Sequence, residues 1–182
     1  EMNINDAVKG NLGKPIIGTE ESVRSFERAD ILKYYDERYT KDNLVVVVSG
    51  NFKKESVKKI IDKYFGNLKA EKVDRYKEID FEFKSGEKGH TKDIKQVNIC
   101  ISYPGTSYLD ENKLYYEIVS SIMGGSMSSR LFLKIREELG LAYSVHTFNQ
   151  SYKEGGVVTT YIGTNEKSYK KAINITKDEF LT

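Results

Sequence analysis

Apolar positions change period several times along this chain, and each change marks an element. Val97, Ile99 and Ile101 alternate within Gln96–Tyr103, the signature of a half-buried strand, and Pro104-Gly105-Thr106 is expected to end it. Asp110 then reads as a helix cap. Leu114, Ile118, Val119, Ile122 and Met123 follow at helical spacing and are expected to face a core. After the Gly124-Gly125 pair, Leu131, Phe132, Ile135 and Leu139 form a second helical face, with Gly140 as its left-handed stop. Tyr143–Tyr152 and Gly156–Gly163 read as two strands around a Lys153-Glu154-Gly155 turn. A last helix from about Asn165 carries Tyr169, Ala172, Ile173 and Phe180.

Towards the N-terminus, Thr19 is placed to cap a short turn through Ser25. Ile31, Leu32, Tyr35 and Tyr39 suggest the buried face of a helix. Leu44–Ser49, with four valines in a row, suits a strand covered on both faces or a central one. Val57, Ile60, Ile61, Tyr64 and Phe65 repeat at helical spacing up to Gly66. The lysines at 53, 54, 58 and 59 supply that helix's wet side. From Lys69 to Gly89 charge is dense and aliphatics are few, although Tyr76, Ile79, Phe81 and Phe83 alternate like a half-buried strand. An interdomain linker is expected there. The domain reading is 1–70, a linker over 71–93, and 94–182, with limited proteolysis expected to cut at 69–93 before Leu44–Ser49 or Gly156–Gly163.

Composition narrows the classes rather than choosing among them. Twenty-nine basic against 27 acidic residues leave a formal charge of +2, which argues against a dedicated nucleic-acid binder. No apolar run approaches the ~20 residues that span a bilayer, so no membrane partner is expected. The single Cys100 excludes an internal disulfide and favours a reducing compartment, read as the cytoplasm. In its apolar strand that thiol is expected to behave as a small hydrophobe.

Candidate chemistry gathers around the glycine pair. Gly124 and Gly125 permit positive φ or close approach of another segment, and Ser128 or Ser129 is well placed to cap the next helix. A phosphate cradle is the weaker reading, because the turn follows a helix and lacks a Lys-Ser/Thr ending. Arg136 falls near a helix end and Tyr143 at a strand start seven residues on, where a tight turn could bring them together. On spacing alone, a dipole-complementing arginine and a core tyrosine are the commoner outcome. Arg130 reads as a solvated or ion-paired helix residue. The two histidines, His90 in a polar stretch and His146 on a strand, read as exposed and as structural, so no metal site is expected.

The run Gly124-Gly125, Ser129-Arg130-Leu131-Phe132, Ile135-Arg136-Glu137 and Gly140-Leu141-Ala142-Tyr143-Ser144-Val145 resembles the C-terminal half of the pitrilysin/insulinase zinc metallopeptidases, in their mitochondrial-processing-peptidase-like branch. Leu12-Gly13-Lys14-Pro15-Ile16-Ile17-Gly18-Thr19-Glu20 is similar to a segment late in that family's N-terminal half. Tyr39, Asn43 and the Val45–Val48 run ending at Gly50 fit the same half. The resemblance implies an α+β fold of two partial α/β-sandwich units, LuxS/processing-peptidase-like, each an antiparallel sheet with helices packed on one face. It also implies that Arg136 and Tyr143 reach the catalytic zinc of the opposite half, holding the substrate backbone and the oxyanion.

The inverted His-x-x-Glu-His motif that such a resemblance leads one to seek does not occur in this sequence. The expectation is a fragment of a zinc metalloendopeptidase acting on peptides or unfolded polypeptides. It would have no catalytic residue of its own, its zinc would lie in the parent, and its partners would be a peptide substrate and the missing catalytic segment or a homologous subunit. Glu1 is not assigned as a ligand. The alternative is a non-catalytic substrate-binding or structural subunit of the same family.

Overall fold

The computed structural model describes residues 2–71 and 80–182, and the chain divides into two compact units, Glu1–Ile16 with Glu78–Thr182, and Ile17–Lys77. In the larger unit, β1 (Val97–Gly105), β2 (Ala142–Ser151) and β3 (Gly156–Thr164) form an antiparallel sheet in the order β1-β3-β2. The turn between β2 and β3 is the one expected from Lys153-Glu154-Gly155. Pro104 lies within β1 rather than ending it, opposite Val157. An edge strand tolerates a proline because one side of its backbone needs no ladder bond.

One face of this sheet is covered by the helices α5 (Lys113–Gly124) and α6 (Tyr169–Leu181) together with the segment Phe132–Glu138, which is π-helical. Met123, Leu131, Ile135, Val145, Ile162 and Ala172 form the core between them. Of the five residues expected on the buried side of α5, Met123 alone is buried. Ser120, Met123 and Gly124 face inward, while Leu114, Ile118, Val119 and Ile122 are exposed. Asp110 does not cap α5. It stands ahead of the helix, its carboxylate accepting from the Asn112 N–H at 2.7 Å, and that bond lowers its pKa.

Part of the opposite face is covered by α1 (Met2–Ala7). Ile4, Ala7 and Val8 pack with Val157, Phe81 and Phe83, and the Lys9 and Lys84 N–H groups donate to Glu82 and Ala7 carbonyls at 2.9 and 2.8 Å. Phe81 and Phe83 therefore belong to a packed element, and residues 2–16 sit with it rather than with residues 17–70. Tyr76 and Ile79 lie outside the described residues. The Lys88 ammonium donates to Asp6, the largest cause of that carboxyl's lowered pKa, and His90 Nε2 lies 3.1 Å from the same carboxylate.

The second unit, Ile17–Lys77, contains α2 (Glu20–Ser25), α3 (Arg28–Arg38) and α4 (Lys54–Phe65). Thr19 caps α2 in a reciprocal box with Ser22, as its position suggests. Buried Thr40 closes this unit by donating to the Glu71 carbonyl at 2.7 Å. Two expectations are overturned here. Leu44–Ser49 is not a strand and Val45 and Val47 are 78% and 84% exposed; Ile31, Leu32, Tyr35 and Tyr39 on and beside α3 are also exposed. An apolar pattern states which side of a segment gains by burial, but pairing and burial need a facing surface. Among the described residues, no strand pairs with 44–49.

This reverses the proteolytic order for that segment. A protease cutting after aliphatic residues is expected to nick 44–49 early and to spare Gly156–Thr164, whose backbone is paired on both sides. Mass spectrometry of the first fragments checks this, and an early cut inside β3 would contradict the sheet.

Candidate functional site

The matched motif occupies one corner of the larger unit. It begins where α5 meets β2. A β-carbon at Gly124 would stand 2.3 Å from Thr147 Oγ1 and 2.4 Å from Thr147 N, so the absent side chain is what lets helix and strand touch. Gly125 keeps helical angles (φ −79°) and donates to the Ser121 carbonyl at 3.1 Å; the turn uses close approach and not positive φ.

The serine cap expected at 128 or 129 is not formed. The Ser129 hydroxyl donates to the Ser126 carbonyl at 2.6 Å, and the Ser128 hydroxyl lies 3.0 Å from that of Ser126. Their hydroxyls knit the loop to itself, while the Ser129 carbonyl accepts the Leu133 N–H at 3.0 Å. Arg130 is ion-paired, its guanidinium contacting Glu179 at 2.6 Å.

Leu131, Phe132 and Ile135 bury the inner side of the next segment and leave Arg136 on its outer side. The Arg136 guanidinium lies 4.8 Å from the centre of the Phe132 ring and its Nε 3.8 Å from Glu137 Oε1. These contacts steer the arginine without burying its charge. Gly140 stops the segment at φ +60°, and the Leu141 and Gly140 N–H groups reach back to the Ile135 and Arg136 carbonyls at 2.8 and 3.2 Å. A left-handed residue at this place is a low-strain role for glycine.

Tyr143 owes its position to a bulge. Ala142 pairs with Thr164 and Ser144 with Gly163, which leaves Tyr143 as the extra residue on β2. Without it, strict alternation would put residue 143 on the same side as buried Val145 and Thr147. The added residue instead carries Ala142 into the core and leaves the Tyr143 side chain 65% exposed. Tyr143 is therefore not the core aromatic that spacing alone suggests. Its hydroxyl has no hydrogen-bond partner among the described residues, and no hydrogen bond or ring contact joins it to Arg136. The sequence holds one hint of the bulge, namely that an unbroken alternation would bury a phenol beside Val145.

Among the described residues there is no group of three or more His, Cys, Asp or Glu able to hold a metal ion. His90 is engaged with Asp6. His146 lies exposed on β2 with its ring parallel to that of Tyr161, 6.3 Å between centroids, and is not the hydrogen-bonded histidine expected. Cys100 lies on the outward side of β1, where neighbouring groups desolvate its thiol and push its pKa up; burial does the same to Tyr103. A raised thiol pKa opposes thiolate chemistry. No helix among the described residues is long and apolar enough to cross a membrane.

Residues 25–182 match the family model described as the peptidase M16 inactive domain. A Bacillus subtilis protein named uncharacterized zinc protease YmxG is 36% identical over 163 residues, covering 88% of this chain and 39% of that protein. An uncharacterized zinc protease of Rickettsia bellii is 35% identical over 154 residues, covering 84% and 37%. The chain thus spans under two-fifths of the length of these relatives. Among solved structures, the peptidase M16 inactive domain from Pseudomonas fluorescens superposes with a TM-score of 0.69 at 16% identity, covering 90% of this chain and 40% of that one. A chain of Complex III2 from Candida albicans gives 0.74 at 20% identity, covering 91% and 42%. With its antiparallel sheet and flanking helices, and with the motif in place around Arg136 and Tyr143, this chain belongs to the peptidase M16 family and carries that family's inactive domain over residues 25–182.

Proposed function

We propose that this chain is the substrate-holding part of a longer zinc metalloendopeptidase acting on peptides or unfolded polypeptides. The observation that carries the reading is Tyr143, turned out of the core by its bulge, with no partner for its hydroxyl among the described residues, just beyond the segment that displays Arg136. A phenol so placed can donate one directed hydrogen bond to a developing oxyanion, and a guanidinium offers a fixed fork of donors to a peptide carbonyl. Among the described residues none gather to hold a zinc ion and the sequence lacks the His-x-x-Glu-His motif, so the ligands and the general base are expected from another segment. Zinc there would polarise the scissile carbonyl and acidify a water. The outer edge of β2, which pairs with no other strand among the described residues, could accept the peptide as an added strand.

The test compares this chain with the longer protein that contains it. The chain alone is expected to bind no stoichiometric zinc and to cleave no unfolded peptide, whereas the longer protein cleaves and loses activity to a chelator. Chelator-sensitive cleavage by the chain alone would overturn the division of labour. A folded longer protein that binds peptide but never cleaves it would establish the non-catalytic alternative.

A further inference from the structure

The part of the sheet face that α1 leaves open begins at Ser144, next to Tyr143 on β2. Register places Asn98, Gly163 and Ser144 in one row across the three strands, and Cys100, Tyr161 and His146 in the next. Gly163 supplies no side chain, and its neighbours lean into the space. A β-carbon there would lie 2.5 Å from Gln96 Nε2, 2.6 Å from Ser144 Oγ and 3.3 Å from the Tyr161 hydroxyl.

The hydrogen bonds within this group orient what remains free. Asn98 Oδ1 accepts from the Tyr161 hydroxyl at 2.7 Å and from Gln96 Nε2 at 3.0 Å, which uses both of its lone pairs. The Asn98 amide nitrogen carries no hydrogen bond among the described residues and remains a free donor. Gln96 spends its nitrogen on Asn98 and Tyr161, the latter at 3.3 Å, and so leaves its carbonyl oxygen as an acceptor. Ser144 adds a hydroxyl that can serve either way, and no hydrogen bond occupies it among the described residues. The His146 ring, parallel to Tyr161, walls one side.

We infer that this cluster is a subsite for a carboxamide side chain, Asn or Gln, of the bound peptide. The inference rests on the reading of Arg136 and Tyr143 as peptide-holding residues, and deepens it by naming what the substrate presents beside them. A carboxamide offers an acceptor to Asn98 and Ser144 and a donor to Gln96, matching each free group. A carboxylate would face the Gln96 carbonyl, and an ammonium would face the Asn98 donor. The two rows contain no Asp, Glu, Lys or Arg to pair with either charge, and their one basic group, His146, is stacked on the Tyr161 ring. An aliphatic side chain would leave the oriented groups without partners, and sites built to hydrogen-bond a ligand discriminate strongly against analogues that cannot respond.

The experiment uses the longer, peptide-cleaving protein and a peptide set in which each position carries Gln, Glu, Lys or Leu in turn. One position near the scissile bond is expected to favour Gln over Glu and Leu by about 10-fold in kcat/KM, mostly through KM. Asn98→Ala and Ser144→Ala are expected to flatten that preference to within about 2-fold. A merely structural role would slow all four peptides alike and keep their ratio. Circular dichroism melts establish that the variants fold, and Gly163→Ala, which crowds the cluster from below, provides a third. Cleavage without a Gln-preferring position, or a preference that survives in the folded variants, overturns the subsite while leaving the proposed function standing. A longer protein that cleaves nothing overturns the function and the subsite together.

Discussion

Replacing Tyr143 with phenylalanine in the longer, peptide-cleaving protein is expected to lower kcat/KM by at least about 100-fold, with fold and zinc content unchanged. The substitution removes one hydroxyl and keeps the ring, and the residue is already 65% exposed, so packing has little to lose. Loss of a single oxyanion donor typically costs on the order of 3 kcal/mol of transition-state stabilisation. The fall should appear in kcat as well as in kcat/KM, because the bond strengthens as charge develops. Arg136→Ala should raise KM too, since a guanidinium would hold the peptide carbonyl before reaction. It also removes the contact with the Phe132 ring, so its melting temperature must be measured alongside. If both side chains grip one peptide unit, the double variant should lose less than the sum of the single losses. Wild-type kcat/KM in both single variants would leave the pair with a structural role only.

Substitution of Gly124 by alanine should have the largest effect on stability among the motif's glycines whose φ is negative. The new β-carbon would lie 2.3–2.4 Å from the hydroxyl and backbone nitrogen of Thr147, which is itself buried and bonded to Thr160 at 2.9 Å. Backbone cannot swing aside as a side-chain tip can, so α5 or β2 must shift. Overpacking of this kind costs roughly 1–3 kcal/mol. Urea unfolding of the chain reads the change directly. Gly89→Ala, where nothing lies within 4 Å of the new carbon, is the control expected to leave the midpoint unmoved. An unchanged midpoint for Gly124→Ala would mean that helix and strand do not meet as described. Because Thr147 and Tyr143 lie on the same strand, a shifted β2 would also displace the phenol.

Much of this protein could be read from local chemistry. Thr19 and Ser22 stand in the spacing of a capping box and form one, because a cap needs only its own first turn. Gly140 adopts the left-handed angles of a helix stop, the alternating apolar residues of β1 form a strand, and β2 and β3 form on either side of the expected turn. The motif around Arg136 and Tyr143 was sufficient to indicate the family. Tertiary structure decided what depends on a partner. Whether the valines of 44–49 pair, and which side of α5 is buried, turn on the surface opposite and not on the pattern itself. The serines at 128 and 129 bond within their loop, Ser129 to the Ser126 carbonyl and Ser128 to the Ser126 hydroxyl, and cap no first-turn N–H of the next segment. The outward turn of Tyr143 follows from register: one extra residue on β2 reverses its side of the sheet, and only pairing with β3 reveals where that residue lies.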